Sequence, residues 1–251
     1  MIEVEEKKIF LTISIPTYNR AKNLCKLLDS LFDVIETNTL NKKIGIFVSN
    51  NASSDNTHEI LENVSIRFDA KGIRFEFQSL NENIGSSKNV LQTFEKPNSE
   101  YIWWFADDDN IYSKDIPKLI NELEEYKPNV CNIGFMQPPF STRNPKYAQN
   151  MHGFYENNEY VHEVISTKLT SIIVKKSIVN IFDEKEAASS LWPQVYIILP
   201  TILTEGKYYI FSSNIAGSDD NYLDIRYPPS AFYELVKIKE KIYEQSKTIQ
   251  K

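Results

Sequence analysis

Asp107, Asp108 and Asp109 follow directly on the apolar run Trp103-Trp104-Phe105-Ala106. Carboxylates this close together repel one another, and each raises the pKa of its neighbours unless a cation sits among them. Hard oxygen donors of this kind suit Mg²⁺ or Mn²⁺. A metal held there, next to a diphosphate, would neutralise charge on a departing leaving group. The same three residues would also serve as a solvated acidic turn with a helix cap, and the run by itself leaves both uses open.

Other chemistries find less support. His58, His152 and His162 are dispersed and form no metal-ligand pair at useful spacing. There is no G-x-S-x-G elbow, no G-x-G-x-x-G and no P-loop, which argues against an α/β-hydrolase elbow, a dinucleotide oxidoreductase and an NTPase. Cys25 and Cys131 lie in a helical and a strand pattern without any C-x-x-C. They read as buried, reduced thiols in a reducing compartment. The formal net charge of -6 disfavours nucleic-acid binding, which needs clustered Lys and Arg. The first eight residues lack the basic start and apolar run of a signal peptide, and no run of about 18 apolar residues is present. The expected setting is the cytoplasm, with peripheral contact to the inner face of the cell membrane open.

The acidic run needs a scaffold, and the first half of the chain supplies a repeating one. Residues 9–15 form a β-branched apolar run ended by Pro16, a buried strand. Leu24, Leu27, Leu28 and Leu31 recur at i, i+3, i+4 and i+7, one face of a helix. Residues 44–49 give a second strand, and Asp55 is placed to cap the helix carrying Ile60 and Leu61. Ile73, Phe75 and Phe77 alternate as a third strand. A helix with Val90, Leu91 and Phe94, a dense strand over 101–106, and a helix with Ile116, Leu119, Ile120 and Leu123 follow. This alternation implies a mostly parallel sheet covered on both faces. Ligands then bind beyond the carboxyl ends of the strands, so segments 16–20, 50–55, 83–89 and 107–110 should converge on one rim.

The second half is less regular. Strands are expected over 130–135, 169–174 and 208–211, a long loop over 137–158, and a helix over 192–203 that Pro200 would kink. A lysine-rich helical tail ends the chain. In it Leu235, Ile238 and Ile242 lie near helical spacing beside Lys237, Lys239, Lys241 and Lys247. Such a tail reads as a capping helix or as a surface that rests on an anionic membrane.

Four ordered segments over roughly the first 130 residues resemble the family 2 GT-A-type glycosyltransferases. They are Thr12-Ile13-Ser14-Ile15-Pro16-Thr17-Tyr18-Asn19-Arg20, Phe47-Val48-Ser49-Asn50-Asn51-Ala52-Ser53-Ser54-Asp55, Asn83-Ile84-Gly85-Ser86-Ser87-Lys88-Asn89, and Asp108-Asp109-Asn110-Ile111-Tyr112. The last is similar to the metal motif of the spore-coat polysaccharide branch. The resemblance implies an α/β fold of GT-A (Rossmann-like nucleotide-binding) type. Residues 1–130 would be the nucleotide-sugar-binding half, 131–230 the acceptor-binding half of the same domain, and 231–251 the helical tail.

Residue roles follow from the same resemblance. Tyr18 would stack on the base with the backbone of Pro16 and Thr17 beside it, and Asn50 would contact base or ribose, where the family usually has Asp. Asn83 and Lys88 fall near the base and phosphates. Asp108 would face ribose or metal, Asp109 would be the main metal ligand, and Asp107 its alternate, because the register of a triple Asp is ambiguous. Inverting members place a Glu-Asp pair at a helix start in the second half, where this chain has Leu191-Trp192-Pro193-Gln194. The general base is therefore sought at Asp183, with Asp219 and Asp220 as alternatives. Trp192, Tyr196 and the 140–155 loop would form an apolar platform for an acceptor sugar.

The implied activity is metal-dependent, inverting transfer of a sugar from a nucleoside diphosphate donor, UDP favoured. The acceptor would be a hydroxyl of a surface glycan or lipid-linked saccharide. A catalytically inactive nucleotide- or glycan-binding module on the same fold is the alternative. A nucleotidyltransferase would show a Gly-rich basic phosphate loop after the first strand, and this chain has none there.

Overall fold

The structure is a computed structural model that describes residues 8–112, 114–136, 152–155, 168–178, 183–205, 207–217, 236–238, 240 and 244. The apolar run near the start forms β1 (Ile9–Thr17), and α1 (Ala21–Thr37) turns its leucine face inward, with Leu24, Leu28 and Leu31 fully buried. The chain continues through β2 (Ile44–Asn50), α2 (Thr57–Asp69), β3 (Phe75–Ser79), α3 (Ser86–Glu95) and β4 (Ser99–Trp104). After the aspartates come β5 (Asn110–Ile111), α4 (Ile116–Tyr126), β6 (Val130–Met136) and β7 (Gly153–Tyr155). A 3-10 turn (Leu169–Ser171) leads into β8 (Ile172–Lys175), and α5 (Glu184–Ser189), α6 (Pro193–Glu205) and β9 (Tyr208–Gly217) complete the described elements.

The strands form one sheet in the order β3-β2-β1-β4-β8-β6-β9-β5, with β7 also on β9. β3, β2, β1 and β4 are all parallel. Beyond β4 the sheet is mixed, because β8 runs antiparallel to β4 and β6, β9 is parallel to β6, and β5 and β7 are antiparallel to β9. One apolar cluster joins one sheet face to α1, α2 and α4, and a second joins the other face to α3 and α6. Adjacent Trp103 and Trp104 point to opposite faces and fall one in each cluster, as the two-residue period of a strand requires.

The structure corrects several expectations. Pro16 lies inside β1 and pairs with Ser49 of β2. Pairing of β1 with β4 ends at Ser14 and Trp104, and Ser14 turns its carbonyl to that side, accepting from Phe105 N–H. Pro16 faces the same way by strand alternation but beyond the end of β4, so its missing N–H breaks no ladder bond. Of the strand expected over 169–174, the first three residues form the 3-10 turn. The loop expected over 137–158 contains β7, and α5 was not anticipated. Cys131 is buried but Cys25 is only half-buried, and both are free.

Ile238 of the tail is 3% exposed in the second cluster, whereas Val236 is 50% exposed. No described helix is long and apolar enough to cross a membrane.

Candidate functional site

β1 connects to β2 on one side and pairs with β4 on the other, so the strand order reverses at its carboxyl end. Open α/β sheets leave a crevice at such a point. Thr17 closes β1 there, and its Oγ1 donates to Asp107 Oδ2 at 2.7 Å. Arg20 Nη1 lies 3.6 Å from Asp107 Oδ1 and makes an ion pair with Asp108 Oδ2. The turn after β4 is closed by Asp109 N–H donating to Ala106 O at 3.2 Å. Thr170, from the turn before β8, donates its hydroxyl proton to Asp109 Oδ2.

The electrostatics of the three aspartates differ. Burial pushes the Asp107 carboxyl up to about 6, although the Thr17 hydroxyl and the Arg20 charge pull it down. Burial pushes Asp109 up to about 7 against the Thr170 hydrogen bond, with Asp108 and Asp107 adding repulsion. Asp108 is half-buried and faces Arg20. Burial outweighs the positive charge that Arg20 brings to Asp107 and Lys168 brings to Asp109. Among the described residues no three His, Cys, Asp or Glu side chains form a metal cage. Mg²⁺ and Mn²⁺ commonly take only one or two carboxylates and complete the shell with phosphate oxygens and water, and the donor set fits that mode.

The remaining rim segments are tied together by side chains. Asn19, in the left-handed region at φ 52°, accepts from Ser54 N–H at 2.7 Å through Oδ1, and its own N–H donates to Ser53 Oγ at 2.9 Å. Asp55 Oδ2 accepts from Ala21 N–H at 3.0 Å, while Oδ1 accepts from Thr57 N–H at 3.1 Å. One carboxylate thus serves the first turns of both α1 and α2. Burial acts to raise the Asp55 pKa, but hydrogen bonds from Thr57 and Ala21 outweigh it and hold the group below its ordinary value.

Asn51 is buried and reaches the third loop, donating to Asn83 Oδ1 at 2.9 Å and accepting from Ile84 N–H at 3.0 Å. Asn83 also receives Gly85 N–H at 2.9 Å. Gly85 precedes α3 at φ 87° and ψ 157°, a conformation essentially reserved for glycine. Asn89 fastens α3 to β2 by accepting from Ser49 Oγ at 2.6 Å and donating to Ser49 O at 3.1 Å. Segments 16–20, 50–55, 83–89 and 107–110 therefore meet on one rim.

Individual expectations fare differently. Tyr18 is 44% exposed beside the crevice, which places it outside the core. Asn50 is 2% exposed; its Oδ1 accepts from Ser53 N–H at 3.0 Å and its Nδ2 donates to Ser79 Oγ at 3.2 Å. In this arrangement it shapes the loop rather than presenting a surface to base or ribose. Asn83 and Lys88 are exposed on the rim. Asp183 caps α5, accepting from Glu186 N–H at 3.0 Å, and among the described residues its side chain makes no other hydrogen bond. Asp219 and Asp220 lie outside the described residues, as does most of the 140–155 loop. Trp192 is 3% exposed and Tyr196 half-buried in the second cluster, so both help build the core.

Arg20 and Thr170 were not given roles by sequence. Arg20 stood at the end of the first resembling segment, and its charge two residues past Tyr18 was the available signal. Thr170 carried none, because only the pairing of β8 with β4 brings it to Asp109. A hollow of about 540 Å³ lined by Lys22, Cys25, Asp29, Asp33 and Ile60 lies against α1 and α2 and contains none of the aspartates above.

Comparisons with known proteins bear on the family and the fold. The profile of glycosyl transferase family 2 matches residues 12–180. The abequosyltransferase RfbV of Salmonella typhimurium is 24% identical over 233 residues, covering 85% of this chain and 68% of that protein. The crystal structure of S. aureus TarS 1-349 in complex with UDP superposes with a TM-score of 0.69 at 17% identity, covering 93% of this chain. The chain spans 65% of that TarS fragment, just under two thirds of its length. The mannosyltransferase PcManGT from Pyrobaculum calidifontis, solved with GDP-Man and Mn²⁺, has a TM-score of 0.58 at 12% identity, covering 96% of this chain and 72% of that one. At such identities the structural likenesses speak for a shared GT-A fold. With the family profile matching well over half of its residues, the chain belongs to glycosyl transferase family 2.

Proposed function

We propose that this chain transfers a sugar from a nucleoside diphosphate donor, UDP favoured, to a hydroxyl of a surface glycan or lipid-linked saccharide, with inversion at the anomeric carbon. The observation that carries the reading is the meeting of an exposed Tyr18 with three aspartates at the end of β1, where the strand order reverses. TarS with UDP and PcManGT with GDP-Man and Mn²⁺ support a diphosphate donor and a divalent cation.

Tyr18 stacks on the base, while the β1 terminus at Pro16 and Thr17 lines it. Asn83 and Lys88 border the base and phosphates from the third loop. Asp109 with Asp107 would hold Mn²⁺ or Mg²⁺, which would offset charge on the diphosphate as it leaves. Asp108 faces the ribose, and Arg20 keeps Asp107 and Asp108 oriented through its guanidinium. The acceptor hydroxyl attacks the anomeric carbon opposite the diphosphate and gives its proton to a carboxylate. Asp219 and Asp220 come before Asp183 for that role, since Asp183 is committed to capping α5. They follow by two and three residues Gly217, whose strand partner is Asn110 beside Asp109.

In this reading residues 1–130 bind donor and 131–230 bind acceptor. The lysines of 231–251 lie along an anionic membrane on the cytoplasmic side.

A second reading, a nucleotide- or glycan-binding module without turnover, is favoured by the start of α6. Trp192 and Gln194 are buried there, and no acid opens the helix. Calorimetric titration with UDP, dTDP, GDP and CDP, each with and without Mn²⁺, tests both. The proposed function expects Mn²⁺-dependent binding of one nucleotide, loss of that dependence in Asp109→Ala, and slow donor hydrolysis. Tight binding without hydrolysis or transfer supports the second reading, and unchanged affinity in Asp109→Ala removes the metal from Asp109.

A further inference from the structure

Thr170 is fully buried, and its hydroxyl and carbonyl are both engaged beside the triple aspartate. Its Oγ1 accepts from Ala106 N–H at 2.9 Å and donates to Asp109 Oδ2, and its carbonyl accepts from Trp103 Nε1 at 2.7 Å. The turn that carries it is closed by Ser171 Oγ donating to Lys168 O at 2.8 Å. β8 leaves that turn and locks to β4 with Ile173 opposite Trp103. A hydroxyl has one proton. With the Ala106 amide pointed at its oxygen, that proton is left for Asp109. Among the described residues, Asp109 Oδ1 receives no hydrogen bond.

We propose that Thr170 is a positioning residue of the donor site, holding Asp109 by one carboxylate oxygen and leaving the other to take a divalent cation. This rests on the donor-site reading above. The hydroxyl ties the two ends of the turn, Ala106 and Asp109, to one fixed point, so the carboxylate is set before any ligand arrives. A preset ligand spares ordering cost on binding. Thr170 has no direct contact with donor in this scheme and acts through Asp109.

The test uses the full chain and its Thr170→Val and Thr170→Ser variants. Mn²⁺ is titrated in the presence of UDP, GDP, CDP and dTDP in turn, with free Mn²⁺ followed by its electron paramagnetic resonance signal. With the nucleotide that the unsubstituted chain binds, Thr170→Val should weaken Mn²⁺ about tenfold, the scale of a hydrogen bond to a charged group. Thr170→Ser, which keeps the hydroxyl, should stay within about threefold. In an Asp109→Asn background Thr170→Val should add no further loss, because the two act as one unit. Wild-type Mn²⁺ affinity in Thr170→Val, or an equal loss with and without Asp109→Asn, overturns the proposal. Should Thr170→Val fail to fold, Thr170→Ala carries the same comparison. If the unsubstituted chain shows no Mn²⁺-dependent nucleotide binding at all, the donor-site reading itself falls, an outcome distinct from a silent Thr170.

Discussion

At the scale of single residues, the site separates side chains that wait for a ligand from those already spent on the fold. Tyr18, 44% exposed and outside the core, is proposed to be of the first kind. Tyr18→Ala should therefore weaken nucleotide binding by about 1–3 kcal/mol, the cost of losing a stacked aromatic, while leaving the melting temperature unchanged. Calorimetry and a melting curve on the same sample check both halves, and a lowered melting temperature would place Tyr18 in the packing. Asp183 is of the second kind. Asp183→Ala should cost about 1 kcal/mol of stability, the usual value of an N-cap. Asp183→Asn caps equally well and should leave stability and turnover near those of the unsubstituted chain. A large fall in turnover for Asp183→Asn with stability intact would return the base to Asp183.

At the scale of elements, the crevice is assembled by loops that cap helices. Asp55 serves the first turns of α1 and α2 together, so Asp55→Ala removes two caps and should cost about 1 kcal/mol for each. Its pKa is lowered in the folded chain. Its stabilisation is thus complete above the unfolded carboxylate value and is lost as pH falls through the lowered folded value. Melting curves of Asp55→Ala and the unsubstituted chain should converge in acid; a constant gap at every pH would assign the effect to packing. Gly85→Ala should cost about 1–3 kcal/mol, the range for a residue held in a sparsely populated conformation. A Cβ there would meet nothing within 4 Å, so the penalty is that of the backbone alone.

The elements legible in sequence were those whose own periodicity defines them. Leu24, Leu27, Leu28 and Leu31 specify the buried face of α1 without help from the rest of the chain, and the β-branched run of β1 is equally local. β5 and β7, of two and three residues, exist only because β9 offers partners. β9 itself continues past the apolar 208–211 stretch through Ser212, Ser213 and Asn214, and its register with β6 shifts near Ile133 and Gly134. Polar residues at such an irregularity carry no alternation to read. The aspartates stand out in the sequence because they are adjacent, whereas their partner Thr170 is 61 residues from Asp109 and reaches it only through the sheet.

At the scale of the whole molecule, the fold carries an electrostatic cost that a cation should relieve. The folded chain holds Asp107 at about 6 and Asp109 at about 7, both above the ordinary carboxylate range. Below about pH 4 both states are protonated at these groups and no penalty arises. As pH rises from there to about 7, the unfolded chain releases protons that the folded chain retains, so these two groups make stability fall across that window. A divalent cation binds the ionised carboxylates and should reverse the loss. Mn²⁺ is thus expected to raise the melting temperature more at pH 8 than at pH 5.5. A chain of this size gains roughly 2–4 °C for each kcal/mol. Asp109→Asn removes one of the titrating groups, so its melting temperature should decline less between pH 5 and pH 8, and its response to Mn²⁺ should shrink. Comparing the substituted and unsubstituted chains at each pH cancels the contributions of other groups. Equal Mn²⁺ shifts at both pH values, or an Asp109→Asn curve parallel to that of the unsubstituted chain, would mean that the acidic turn carries its charge without help from a metal.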